Sequence, residues 1–263
     1  MAPRPSQTMT TQKMFKNQFD ICCGIEEVGD THGTNTILMR TKTLLLAAAL
    51  TAVGIATSMA QVYSVNAVGY VRTSLKPGFN MISNPLKATS NKISDLFKNV
   101  DGGIPAEGMT VYKYVNGNYL PAVSFFDDGT FDGADFDLAP GEGAFVLNAS
   151  PAAKTITFVG EVPQGPLTTT LRVGFNMVSS QVPQAGAIDT VLGYKAADLD
   201  SAYQFDAGTQ NYLSTKTAFS DDPTVPTSPV TWDPSAPVIG VGEAFWILKS
   251  TAGTWTRTFS VNQ

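Results

Sequence analysis

The sequence predicts an all-β protein: two tandem pseudo-repeats, each a β-sandwich or barrel-like unit with one short helix. Three observations carry this. One phrase is written twice, Gly78-Phe79-Asn80-Met81-Ile82-Ser83 and Gly174-Phe175-Asn176-Met177-Val178-Ser179, and such self-similarity marks a repeated unit. The runs before each phrase alternate, Val71-Arg72-Thr73-Ser74-Leu75 and Leu167-Thr168-Thr169-Thr170-Leu171, as half-buried strands do. Gly, Pro, Thr, Val, Phe and Tyr are plentiful while helix-length periodic segments are few, a composition of short strands joined by turns.

The chain divides into residues 1–38, 39–60, 61–162 and 163–263. Residues 1–38 are polar and aperiodic, an upstream or disordered extension. Residues 39–60 read as a signal peptide: Arg40 and Lys42 supply charge, Leu44-Leu45-Leu46-Ala47-Ala48-Ala49-Leu50 an apolar heart, and Ser58-Met59-Ala60 a small-x-small cleavage pattern. The apolar run is shorter than the roughly 20 residues a spanning helix needs. Cleavage near Gln61 leaves no stable membrane span, and Met39 is the expected initiator. Cys22, Cys23 and His32 precede that cut. The expectation is a cysteine-free mature chain with no thiol nucleophile, no Ser-His-Asp arrangement and no His or Cys metal ligand.

In the first repeat, residues 62–75 read as strand, interrupted near Gly69. Pro77-Gly78 is a turn and residues 79–84 the return strand of a hairpin. Residues 92–97 form a short helix, with Ile93, Leu96 and Phe97 at i, i+3, i+4. Residues 109–115 alternate. Asn116-Gly117 is a hairpin turn into residues 118–123. An Asp- and Gly-rich loop follows over 125–137, then strands at 144–148 and 154–159.

The second repeat keeps this order. Residues 167–171 and 175–180 form the hairpin, and 187–192 the helix, with Ile188, Val191 and Leu192 as its stripe. Ala202-Tyr203-Gln204-Phe205 matches Val111-Tyr112-Lys113-Tyr114, and Asn211-Tyr212-Leu213 matches Asn118-Tyr119-Leu120. Trp232-Asp233 sits at Phe131-Asp132. Gly242-Glu243-Ala244-Phe245 matches Gly141-Glu142-Gly143-Ala144-Phe145 with one residue dropped. Thr256-Arg257-Thr258-Phe259 matches Thr155-Ile156-Thr157-Phe158. The linker at 160–166 is short and stiff, and Pro-rich residues 223–237 read as an extended surface loop.

The segments Val62-Tyr63-Ser64-Val65-Asn66-Ala67-Val68-Gly69-Tyr70, Phe158-Val159-Gly160-Glu161-Val162, Val182-Pro183-Gln184-Ala185-Gly186 and Gly242-Glu243-Ala244-Phe245-Trp246 resemble uncharacterised secreted proteins of Verrucomicrobia-type bacteria. The resemblance implies a secreted, β-rich, two-repeat protein. It carries over no activity and no site residues.

Residues 61–263 keep 12 of the 17 basic and 18 of the 22 acidic residues, a net charge of −6. Such an acidic chain is a poor partner for nucleic acid or anionic lipid. Asp127, Asp128, Asp132, Asp135 and Asp137 crowd one loop; hard oxygen ligands suit Ca²⁺, the one cofactor the sequence raises. EF-hand spacing from Asp128 fails at Ala139, where a bidentate Glu belongs, and a solvated acidic loop is the plainer reading. Glu142 and Glu243 recur at equivalent places, which marks fold geometry at a turn or strand edge rather than paired catalytic carboxylates. Tyr112, Tyr114, Tyr203, Tyr212, Trp232 and Trp246, with Tyr119 and Phe205 beside them, suit sugar stacking or cross-strand packing.

The leading expectation is therefore an exported, non-enzymatic structural or cell-surface/matrix protein, secreted, periplasmic or at the cell surface. It acts through protein contacts, by self-association or with other envelope proteins. A carbohydrate-binding module that uses the aromatics on polysaccharide is the alternative. A carboxylate-dependent hydrolase is the weakest.

Overall fold

The computed structural model describes residues 67–101, 108–225 and 227–262; the extension at 1–38 and the signal at 39–60 lie outside them. The protein is mostly β, with 48% strand and 4% helix.

The first strand, β1 (Val68–Leu75), runs unbroken through Gly69. It does not form the expected hairpin with β2 (Gly78–Ser83). β1 pairs antiparallel with β9 (Lys154–Glu161), and β2 with β8 (Gly143–Asn148). Residues 76–78 are thus a corner between two sheets. The Asn80 side chain takes the backbone groups that a hairpin would have paired: it accepts from Lys76 N–H at 2.7 Å and donates to Lys76 C=O at 2.8 Å and Gly78 C=O at 3.0 Å. Gly78 supplies the left-handed turn, φ +89°.

After β2 comes α1 (Ile93–Leu96), continued by a 3-10 turn, Phe97–Asn99. Then follow β3 (Met109–Tyr112), β4 (Tyr114–Val115), β5 (Asn118–Tyr119), β6 (Val123–Phe125) and β7 (Phe131–Asp132). The antiparallel sheet order is β2-β8-β3-β6-β7. β4 and β5 form the predicted Asn-Gly hairpin, with φ +56° at Asn116 and +87° at Gly117. One face of the sheet carries Ile82, Val111, Val123, Ala144 and Val146. With Leu75, Ile156 and Phe158 of the β1–β9 ladder, Leu86, Phe97 and Leu138, these close the first core. Strand periodicity puts Phe79, Met81, Tyr112 and Phe145 on the opposite face.

The second half repeats the plan. β10 (Gly165–Leu171) pairs with β20 (Gly253–Phe259), and the second sheet runs β11 (Gly174–Val178), β19 (Phe245–Lys249), β13 (Ser201–Tyr203), β16 (Lys216–Ser220), β17 (Val230–Asp233). β14 (Phe205–Asp206) and β15 (Asn211–Tyr212) form the small hairpin. Asn176 repeats the corner clamp on Arg172 and Gly174. Its core holds Leu171, Ile188, Leu192, Tyr194, Trp232, Phe245, Ile247 and Trp255. Both sheets lie in one compact unit.

Several expectations are corrected. Neither five-stranded sheet closes into a barrel. Among the described residues there is no helix in the second half. Gly186–Ala187 is a strand, β12, paired with β18 (Val238–Ile239), and the chain then turns tightly, with Val191 and Leu192 N–H both donating to Ala187 C=O at 3.0 Å. Two β-branched residues, Thr190 and Val191, and the left-handed Gly193 (φ +76°) stop propagation. Ile188 and Leu192 are still buried, while Val191 is exposed. Residues 223–237 are not all loop, because β17 lies within them. The repeat also aligns without a dropped residue: Met81 faces Phe145 and Met177 faces Trp246, so Trp246, not Phe245, is the mate of Phe145. Likewise Thr73 faces Ile156 and Thr169 faces Trp255, so the letter match at Thr256 slips by two residues. The chain is not cysteine-free: Cys22 and Cys23 belong to its 263 residues. Among the described residues no helix is long and apolar enough to cross a membrane.

Candidate functional site

The faces of the two sheets that point away from their cores meet each other. Met81 and Phe145 from the first sheet, and Met177, Ala244 and Trp246 from the second, form a third buried cluster, flanked by Tyr112, Tyr114, Tyr203 and Phe205. The contacts are reciprocal, as in an isologous interface. Tyr114 meets Trp246 edge-on at 4.9 Å and 85°; Phe205 meets Phe145 at 5.4 Å and 86°. Phe79 packs on Tyr112 and Phe145, as Phe175 packs on Tyr203 and Trp246. Ser83 N–H donates to Gly242 C=O at 2.9 Å, and Ser179 N–H to Gly141 C=O at 3.1 Å. Where the halves meet, the Ser83 hydroxyl donates to Ser179 Oγ at 2.8 Å.

This accounts for the doubled phrase letter by letter. Gly turns the corner, Phe lines the groove, and Asn clamps the corner. Met packs between the sheets, Ile or Val enters the core, and Ser joins the halves. Gly143 belongs to the same device, since a Cβ there would lie 2.7 Å from Ala244 Cβ and 2.8 Å from Met177 Cγ.

The cluster is not sealed. Two pockets open along it. One, of about 320 Å³, is lined by Tyr114, Tyr119, Phe175, Tyr203, Tyr212 and Trp246. The other, of about 380 Å³, is lined by Phe79, Tyr112, Tyr119, Phe145 and Phe205. Tyr119 belongs to both, so together they make one groove whose lining is wholly aromatic. Phe79, Phe175, Tyr119 and Tyr212 are between 41% and 50% exposed, which leaves ring faces for a ligand. Trp246 Nε1 donates to Tyr212 Oη at 3.0 Å, fixing both rings. Burial, then the neighbouring Tyr212 and Tyr114, push the Tyr119 phenol above its ordinary value.

A polar cleft of about 890 Å³ adjoins the first pocket and shares Tyr114 and Phe175 with it. Thr168, Thr170, Arg172, Asn116, Gln181 and the Lys113–Glu142 ion pair line it. The corresponding place in the other half is filled. There the turn after β14 docks on β2, with Phe79 N–H donating to Gln210 Oε1 at 2.7 Å and Gln210 Nε2 to Phe79 C=O at 2.9 Å.

Of the eight aromatics singled out in the sequence, the structure gathers Tyr112, Tyr114, Tyr119, Tyr203, Phe205, Tyr212 and Trp246 along the groove. Trp232 is not with them; it is buried in the second core against Tyr194. Facing strands exchange bulk there, Phe125 opposite Phe131 in one half and Ala218 opposite Trp232 in the other. Sequence reasoning left out Phe79, Phe145 and Phe175. The signal for two of them was the doubled phrase itself, which keeps a Phe at a position that periodicity puts away from the core.

The acidic candidates separate. Asp135 accepts from Ser94 N–H and Oγ at the start of α1. Asp128 accepts from Thr130 N–H and Oγ1, contacts that hold its carboxyl below the usual range. Asp137 lies in a bridge with Lys92, and Asp127 and Asp132 are exposed. Among the described residues no three metal-ligating side chains converge. Glu142 and Glu243 do the same work in each half. Glu142 Oε2 accepts from Ala139 N–H at 2.7 Å and Lys113 Nζ at 2.8 Å; Glu243 accepts from Gly240 N–H at 2.8 Å and Gln204 Nε2 at 2.9 Å. Each carboxylate clamps the turn that delivers β8 or β19 to the interface. No family model, curated protein or solved structure matches the chain.

Proposed function

We propose that the protein is an exported, non-catalytic binding protein whose aromatic groove takes a glycan chain, each half being a small β-sandwich that lends rings to a common site. One observation carries the reading: two aromatic pockets lie side by side and share Tyr119, with four half-exposed rings at their mouths. Apolar sugar faces stack on such rings, and phenol and indole groups orient the hydroxyls. The adjoining polar cleft adds charged and amide side chains to the phenols and indole of the groove. The turn roles of Glu142 and Glu243 support a site without acid–base machinery, and the leader at 39–60 supports export.

Affinity electrophoresis through gels containing soluble polysaccharides tests this. The full chain is retarded by at least one polysaccharide, and Tyr119→Ala or Phe175→Ala weakens retention about tenfold, the scale of a buried aromatic contact. Equal mobility in every gel, or retention untouched by both substitutions, refutes it. A second reading, a surface component acting through protein contacts, draws on another face. Val68, Tyr70 and Val159 are exposed on the β1–β9 ladder, with Tyr70 directly opposite Val159.

A further inference from the structure

We propose that the polar cleft beside Tyr114 and Phe175 is a subsite for a glycan segment that joins a uronate to an N-acetylated amino sugar, with Arg172 holding the carboxylate. This rests on the glycan reading of the groove and adds the class of sugar.

In the other half the protein fills the equivalent space with its own chain. Lys76 there occupies the place of Arg172: each lies four residues before the Asn that clamps its corner. The β14–β15 hairpin brings Asp206 near Lys76, whose charge helps hold the Asp206 carboxyl below its usual range, after hydrogen bonds from Gly208 and Thr209. The Gln210 carboxamide pairs with both Phe79 N–H and Phe79 C=O. A Cβ on Gly78 would strike Gln210 Oε1 at 2.5 Å, whereas nothing lies within 4 Å of one on Gly174. The first-half hairpin turns through Asn116-Gly117 alone and has no residues to spend on filling the cleft.

The cleft therefore offers the same fittings without an occupant from the described residues. β11 has the register of β2, Phe175 facing Leu248 as Phe79 faces Leu147. Phe175 thus presents its N–H and C=O to the cleft as Phe79 presents them to Gln210, and no described side chain meets them. Lys113 is engaged by Glu142 Oε2 at 2.8 Å and Asp137 C=O at 2.6 Å. Arg172 is exposed, its backbone is pinned by Asn176, and its guanidinium has no hydrogen bond or ion pair with a described residue. A guanidinium fork matches a carboxylate in two-point contact. An acetamido group offers the C=O and N–H that Gln210 offers in the other half. Thr168 and Thr170 are placed for sugar hydroxyls.

The probes are hyaluronan oligosaccharides, which alternate a uronate with an N-acetylated amino sugar, and their methyl esters, which keep the amide and lose the charge. Titration calorimetry on the full chain at low salt should show the acid bound about fivefold tighter than the ester, the size of one exposed charge pair. Salt should erase that difference. Arg172→Gln should abolish it, and Arg172→Lys should retain part of it. Equal binding of acid and ester, both lost in Tyr119→Ala, overturns the subsite and leaves the glycan reading standing. No binding of either probe, nor of any neutral polysaccharide, overturns both. Binding of a synthetic Asp-Ala-Gly-Thr-Gln peptide in a chain that ignores the glycans overturns the subsite in favour of an acidic peptide partner.

Discussion

At the residue scale, single side chains settle matters that strand propensity leaves open. Asn80 and Asn176 each satisfy three backbone groups at a corner. Asn80→Ala and Asn176→Ala should each cost about 1–3 kcal/mol in urea melts, because the freed groups lose their partners. Asn80, at 2% exposure, should cost more. In the second core, Asp200 and Lys249 form a buried pair at 2.6 Å, and Tyr194 donates to the same Asp200 oxygen at 2.7 Å. Burial first, and then Asp200, push the Tyr194 phenol far above its ordinary value. The unfolded chain ionises Tyr194 near pH 10 while the folded chain keeps it protonated. Its contribution is therefore complete below about pH 10 and is lost as pH rises beyond that. Melting temperature against pH should fall on the alkaline side, and Tyr194→Phe should flatten that fall.

At the element scale, the strands and the Asn-Gly hairpin are legible in the sequence, since alternation and turn chemistry are local. Their partners are not. Pro77-Gly78 has the letters of a hairpin turn, yet a corner uses the same Gly, and only the clamp from Asn80 distinguishes the two. The helix expected at 187–192 failed for a related reason. Ile188 and Leu192 have to be buried, but a single turn buries them as well as a helix does. Close approach of the sheets at Gly143 is equally silent in the sequence. Gly143→Val should lower stability by about 1–3 kcal/mol or more, as overpacking does, because Ala244 and Met177 stand in its way. Gly253→Ala, with nothing within 4 Å of the added carbon, should leave the urea midpoint nearly unchanged.

At the scale of the molecule, duplication creates the site. Each half buries one face of its sheet in its own core and turns the other, ring-bearing face to its mate. The groove belongs to neither half alone. The doubled phrase announced the duplication. That its Phe, Met and Ser would meet across an interface could not be read from one strand, since periodicity assigns a face and not what covers it. The sequence did mark seven of the groove's ten aromatics, and set Trp232 beside them because composition does not separate a core ring from an exposed one. The halves then differ where one hairpin fills its cleft and the other leaves it open. Hydroxyl-radical footprinting of the full chain, alone and saturated with a polysaccharide that retards it, tests this account most directly. The account predicts joint protection of Phe79, Tyr119, Phe175 and Tyr212, drawn from both halves, with Val68, Tyr70 and Val159 unchanged. Protection confined to the β1–β9 face, or to the rings of one half, would contradict it.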